Sequence, residues 1–171
     1  LAGDMPSIRE HWNKENIQFS AIYTGYLGST DQIDMVLDIF RDTLTPDGVK
    51  IVDPAMADNG NLYPGFDSAY VEAMKRLCAS ADYILPNITE ACFLADVPYC
   101  ASYDKAFIDM LVEKLQTLGC KNIILTGISY EQGTTGIEVI EGDSRRYYKH
   151  DLLPNSCHGT GDIYASAFVG A

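Results

Sequence analysis

Residues 82–96 read DYILPNITEACFLAD. The short apolar run at its start is stopped by Pro86, because proline brings no N–H to a sheet ladder and biases the residue before it away from helix. ITEACFLAD then reads as a short helix, in which Glu90 could be a capping-box acid in the neighbourhood of Thr89 or a solvated helix charge. A buried strand that feeds a helix is half of a βαβ unit, and the arrangement recurs on both sides. FSAIYTG (19–25) is an apolar run ended by glycine, VKIVDP (49–54) is one stopped by Pro54, and KNIILTG (121–127) is a fourth. Between them, TDQIDMVLDIFRDTL (30–44) puts Ile33, Val36, Leu37 and Phe40 on one helical face behind an N-cap at Thr30 or Asp31. FDSAYVEAMKRLCASA (66–81) is amphipathic, and YDKAFIDMLVEKLQTLG (103–119) is a longer helix closed by Gly119. NGNLYPG (59–65) is turn chemistry, and TGIEVIEGDSRRYYKH (135–150) alternates about Gly142-Asp143 as a β-hairpin. The reading is an α/β fold over 1–171 as one domain: a mostly parallel sheet flanked by helices on both faces, with the hairpin before a final apolar helix.

The chain has 171 residues, 47% of them apolar, which is enough for one proper core. Its formal charge of −12 argues against nucleic acid or an anionic membrane as partner, since phosphates are gripped by clustered Lys and Arg. GDSRRYYKH (142–150) is the one locally basic stretch, too short to reverse this. Five scattered cysteines without a C-x-x-C pair suit a reduced, cytoplasmic protein, with Cys157 read as a small buried thiol. No apolar run reaches membrane-spanning length. Trp12 and His11 read as packing residues; His150 and His158 have no ligand partner at metal spacing. The sequence begins without Met and ends inside the apolar run IYASAFVGA (163–171), which is expected to be buried against further partners.

In open α/β sheets ligands sit beyond the carboxyl ends of the strands, and the unusual polar residues of this chain cluster there. The first strand ends in Thr24-Gly25-Tyr26, the second in Asp53 with Asp58 after it, the third in Asn87 with Glu90 following, and the fourth in Thr126-Gly127. Asp53, Asp58, Glu90 and Asn87 are hard oxygen donors of the kind that suit Mg²⁺ shared with a nucleotide's phosphates. In NSCHGTGDIYASAF (155–168) a glycine turn opens the last helix. The N–H groups of Gly159, Thr160 and Gly161 are free to hold phosphoryl oxygens, and Asp162 stands beside them to accept a proton from an attacking hydroxyl. Metal, anion hole and base are the parts of phosphoryl transfer. There is no Walker-type loop and no kinase-type G-x-G-x-x-G, so the architecture must be a different one.

HGTGD (158–162) resembles the G-x-G-D signature of the ribokinase-like superfamily. DPAMADNGNLY (53–63), followed by LPNITEACFL (85–94), is similar to the pyridoxal kinase branch, as is YTGYLGS (23–29). The likeness runs in order along essentially the whole chain. It implies a three-layer ribokinase-like sandwich lacking the family's first strands and last helices. It also implies an ATP-dependent kinase for the 5′-hydroxyl of pyridoxal, pyridoxine or pyridoxamine, in vitamin B6 salvage. By that resemblance Asp162 is the base and Gly159 to Gly161 the anion hole. Asp53 lies near the ATP phosphates, Asn87 and Thr126 contact them with Gly127 alongside, and Tyr26 lines the vitamin pocket. Asp58 and Glu90 serve Mg²⁺, directly or through water, with or without a monovalent cation. The family further implies a cytoplasmic homodimer whose partners are the vitamer and ATP, with no nucleic acid and no membrane. Ala57, Leu85 and Gly127 depart from the residues usual at those places, respectively glycine, threonine and serine. Two other readings stand beside this one. One is a hydroxymethylpyrimidine kinase or sugar kinase of the same superfamily; of these, the absence of Cys at position 160 disfavours the pyrimidine enzyme. The other is a non-catalytic nucleotide-binding protein.

Overall fold

The computed structural model describes residues 3–154 and 159–171; Cys157 and His158 lie outside them. The elements follow the expected alternation: α1 (Met5–Lys14), β1 (Phe19–Thr24), α2 (Thr30–Thr43), β2 (Leu44–Val52), the short β3 (Ala57–Asp58) and β4 (Asn61–Leu62), α3 (Ser68–Ser80), β5 (Tyr83–Ile84), α4 (Ile88–Leu94), α5 (Lys105–Leu118), β6 (Asn122–Ile128), β7 (Thr134–Glu141), β8 (Ser144–Asp151) and α6 (Thr160–Gly170). Six strands form one sheet in the order β1-β2-β5-β6-β7-β8. The first four are parallel, and β7 and β8 add the hairpin antiparallel to β6.

Strand side chains alternate between faces, and here the alternation separates two cores. Val52, Ile84, Ile123 and Leu125 point toward α2, α3, α4 and α5, where they meet Ile33, Met74, Leu77, Leu94, Ile108 and Leu111. Their neighbours Ile51, Leu85 and Ile124 point to the other face, against Ala165 of α6 with Tyr23, Tyr83 and Phe168 around them. Three layers result, helices–sheet–helix, with most helices on one side. Both faces of the central strands are therefore apolar, which is why VKIVDP and KNIILTG read as continuous rather than alternating runs.

Several local details differ from the sequence reading. Ser29, not Thr30 or Asp31, caps α2: its backbone is extended and its Oγ accepts from Gln32 N at 3.3 Å, while Thr30 is already helical. β2 starts at Leu44, which pairs with Phe19; residues 45–48 then loop out before Val49 pairs with Ala21. Within NGNLYPG, Asn59 and Gly60 take φ of 49° and 79°, the two positive values a type I′ hairpin turn needs, and they join β3 to β4. Trp12 does pack, edge-on against Phe19 with ring centroids 5.0 Å apart, but His11 is exposed because α1 buries no residue. In α6, Ala165 is buried whereas Ile163 is 71% exposed.

Candidate active site

The first turn of α4 organises one side of the rim. Asn87 is its N-cap: Oδ1 accepts from Glu90 N at 2.9 Å, and Glu90 Oε2 accepts from Asn87 N at 2.9 Å, a complete capping box. The same side chains reach across to the chain that follows β2. Glu90 Oε1 accepts from Met56 N at 3.1 Å, Asn87 Nδ2 donates to Ala57 O at 2.9 Å, and Thr89 Oγ1 accepts from Gly60 N at 3.1 Å. Three residues of one helical turn thus fasten residues 56–60 by their backbone. Glu90 is 3% exposed, and this burial, opposed by the backbone N–H bonds and reinforced by the charge of Asp53, pushes its carboxyl up to about 7.

Asp53 follows β2 directly, its backbone N donating to Thr24 O at 2.8 Å. The residue is 9% exposed. Burial raises its pKa to about 6; the hydrogen bond from Tyr23 opposes that shift and the negative charge of Asp162 adds to it. Tyr23 Oη donates to Asp53 Oδ2 at 3.3 Å. Asp58, by contrast, is exposed, and its two oxygens accept from Asn59 N at 2.9 Å and Asn59 Nδ2 at 3.0 Å.

Asp162 occupies the first turn of α6. Its charge bears on Asp53, Tyr23 and Tyr63, so the last helix does converge with the second strand's end. Gly159, the N-cap, has φ 82°, a left-handed backbone that side-chain-bearing residues rarely adopt, and among the described residues no side chain closes this helix start. α2, α3, α4 and α5 are each closed by a side chain, from Ser29, Asp67, Asn87 and Asp104. Gly159, Thr160, Gly161 and Asp162 are all exposed, leaving the first N–H groups of α6 open to a ligand.

Thr126 joins the rim through an isolated parallel bridge to Asn87, and both its N (2.9 Å) and its Oγ1 (3.3 Å) donate to Pro86 O. Gly127 is the extra residue of a bulge between Thr126 and Ile128, at φ 71° and exposed. Tyr26 is 62% exposed and lies over Phe66, with centroids 5.5 Å apart; Phe66 in turn stacks on Tyr70 at 3.8 Å.

Three residues enter the site that sequence reasoning did not single out. Tyr63 has its pKa raised by burial first and then by Glu90, Asp58, Asp53 and Asp162, so its hydroxyl lies in the field of all four carboxylates. Its one signal is its place at the end of DPAMADNGNLY. Thr89 sits inside the capping sequence but bonds across to Gly60, a contact no local pattern announces. Finding Tyr23 requires knowing which face of β1 meets α6.

Among the described residues no group of three or more His, Cys, Asp or Glu is arranged to hold a metal ion. Both oxygens of Glu90 are held by backbone N–H groups, while Asp58 presents an exposed carboxylate. Such a donor set fits a cation that brings most of its ligands with it, as Mg²⁺ does with nucleotide phosphates. Among the described residues no helix is long and apolar enough to cross a membrane.

Known proteins share this fold. The chain is 37% identical to a Bacteroides thetaiotaomicron protein assigned as a phosphomethylpyrimidine kinase and crystallised with pyridoxal; the TM-score is 0.89, over 99% of this chain and 61% of that one. It is 30% identical to the pyridoxal kinase of Lactobacillus plantarum, with a TM-score of 0.88 over 99% and 60% of the two chains. A hydroxymethylpyrimidine/phosphomethylpyrimidine kinase of Haemophilus influenzae is 33% identical over 91% of this chain and 58% of its own length. The chain spans little more than half the length of the curated relatives it matches, from 53% to 58%. The phosphomethylpyrimidine kinase family model matches residues 11–171. By this match the chain belongs to the phosphomethylpyrimidine kinase family.

Proposed function

We propose that the protein containing this chain is an ATP-dependent kinase that phosphorylates the 5′-hydroxyl of a B6 vitamer: pyridoxal, pyridoxine or pyridoxamine. The observation that carries the reading is Asp162 on a glycine-led helix start, close enough to Asp53 for the two charges to interact. The N–H groups of Gly159, Thr160 and Gly161 hold the phosphoryl group in transfer, helped by the dipole of α6. Asp162 takes the proton of the alcohol as its oxygen bonds to the γ-phosphorus and the bond from that phosphorus to the ADP oxygen breaks. Asp53, Asn87, Thr126 and Gly127 line the strand ends along the nucleotide's phosphates. Asp58 holds Mg²⁺, and Glu90 serves that site mainly by fixing the loop that carries Asp58. Mg²⁺ supplies positive charge to the phosphates in a chain that is itself strongly acidic. Tyr26, exposed beside the rim, packs on the vitamin ring. The whole protein is a homodimer of the cytoplasm, with the vitamer and ATP as its small-molecule partners.

Pyridoxal in the Bacteroides protein and the name of the Lactobacillus relative support the vitamer. The family match and the Haemophilus relative favour a second substrate, hydroxymethylpyrimidine, which offers the same hydroxymethyl group on an aromatic heterocycle. ADP release by the full-length protein with Mg-ATP, assayed against pyridoxal, pyridoxamine, pyridoxine, hydroxymethylpyrimidine and ribose, decides between them. Turnover on a vitamer that collapses in Asp162→Asn is the expected result. Turnover on the pyrimidine or ribose alone moves the substrate and keeps the chemistry, and nucleotide binding without any turnover overturns the kinase reading.

A further inference from the structure

We propose that Tyr23 is a positioning residue for this reaction: its hydroxyl holds the Asp53 carboxylate from the neighbouring strand and fixes where it stands relative to Asp162. The inference rests on the kinase reading above. Tyr23 pairs in register with Ile51, so both side chains lie on the α6 face of the sheet. From there the phenol ring reaches past the end of β2 to Asp53 Oδ2, 3.3 Å away. The ring packs in the small core with Ile51, Leu85 and Ala165, so its own position is set by the sheet and by α6 together. Gly25 keeps the space around the hydroxyl clear: a Cβ there would stand 3.1 Å from Tyr23 Oη. Two carboxylates facing one phosphate path repel each other, and a donor on the more buried one keeps it ionised and turned to a fixed angle.

The groups facing Asp53 come from every surrounding element. Tyr23 approaches from β1 and Asp162 from α6, while the charge of Asp53 reaches Glu90 on α4, Tyr63 beyond β4 and Cys78 on α3. Of these, Tyr23 is the one whose hydrogen bond lowers the Asp53 pKa. Removing that bond while keeping the ring separates positioning from packing.

The test compares full-length wild type with Tyr23→Phe, by kcat and KM for Mg-ATP from pH 5 to 9 and by carboxyl NMR titration of Asp53 in both proteins. The expected result is a kcat/KM lower by about 3–10-fold, carried mainly by kcat, as for losing one hydrogen bond to an ionised group. The acid limb of the profile and the Asp53 titration both move to higher pH, by about half a unit or more, with the thermal midpoint nearly unchanged. A variant with wild-type kinetics, or with an unmoved acid limb and titration, overturns the proposal. Wild type without turnover on any substrate is instead a failure of the kinase reading. In that case the titration still decides whether Tyr23 governs Asp53.

Discussion

α4 and α6 begin at the same rim of the sheet, yet their first turns are built on opposite plans. α4 starts with Asn87, Thr89 and Glu90, all of whose side chains are spent on backbone groups, and its first turn is largely buried. α6 starts with a left-handed glycine and, among the described residues, no side-chain cap, and its first residues are exposed. A helix start has several N–H groups without intrahelical partners, and they must be satisfied by side chains, water or a ligand. In α4 the capping box takes up Asn87 N and Glu90 N while the same side chains, with that of Thr89, fasten residues 56–60; among the described residues no side chain takes up the first N–H groups of α6. The difference separates a turn that braces the site from one left open to an anion, a division the double glycine of α6 already suggests in the sequence.

Substitutions in the two turns should therefore fail in different ways. The largest effect is expected for Asp162→Asn, which should reduce turnover by ~10²–10⁴, the range for losing a general base, and leave the unfolding midpoint unchanged. Near wild-type turnover would remove Asp162 from the chemistry. Glu90→Ala should act mainly on stability. It strips the acceptors from Met56 N and Asn87 N, at a cost of about 2–4 kcal/mol in urea unfolding, with activity falling as the 56–60 loop loosens. An unchanged midpoint would mean that these N–H groups find water instead. Gly159→Ala sits between the two cases. Its φ of 82° makes a Cβ cost ~1–2 kcal/mol locally, and the expected consequence is a several-fold rise in KM for ATP rather than a loss of fold.

The smallest effect distinguishes function from stability at Asp53. Burial has raised its folded pKa to about 6, from 3.8 for the free group. Between these values the folded state holds more protons than the unfolded one, so this carboxyl's contribution to stability falls as pH rises through that window. Asp53→Asn carries no such penalty. It should be more stable than wild type by on the order of 1–2 kcal/mol at pH 8, with the gain vanishing toward pH 4, while turnover drops. A gain independent of pH would point to packing rather than to the buried charge.

Much of this molecule is legible in its sequence. Pro54, Pro86 and Gly25 fall just beyond the ends of their strands, and Gly119 closes α5 as expected, in left-handed conformation, whereas Gly127 ends no strand: β6 runs through it as a bulge to Ile128. Glu90 reads as a capping acid from the sequence, but that Asn87 is its N-cap partner is a finding of the structure. Other features stay hidden because they depend on contacts distant in sequence. By sequence Glu90 could be a metal ligand or a cap; its bond to Met56 N, 34 residues away, shows where its second oxygen goes. The strand before Pro86 is only two residues long, Tyr83 and Ile84, each paired with β2 on one side and β6 on the other.

The sequence by itself determined the order of strands and helices, the apolar runs that pack on both faces, and the glycine turn ahead of Asp162. These are local properties: chain stiffness, missing donors and the periodicity of apolar residues. Only the tertiary structure decided which face each strand residue takes, and so that Tyr23 and Asp53 meet beneath α6 while Asn87, Thr89 and Glu90 turn inward to hold the rim. The physical reason is that a strand's alternation fixes two faces without saying which will be covered by which helix. That choice is made by packing between segments dozens of residues apart.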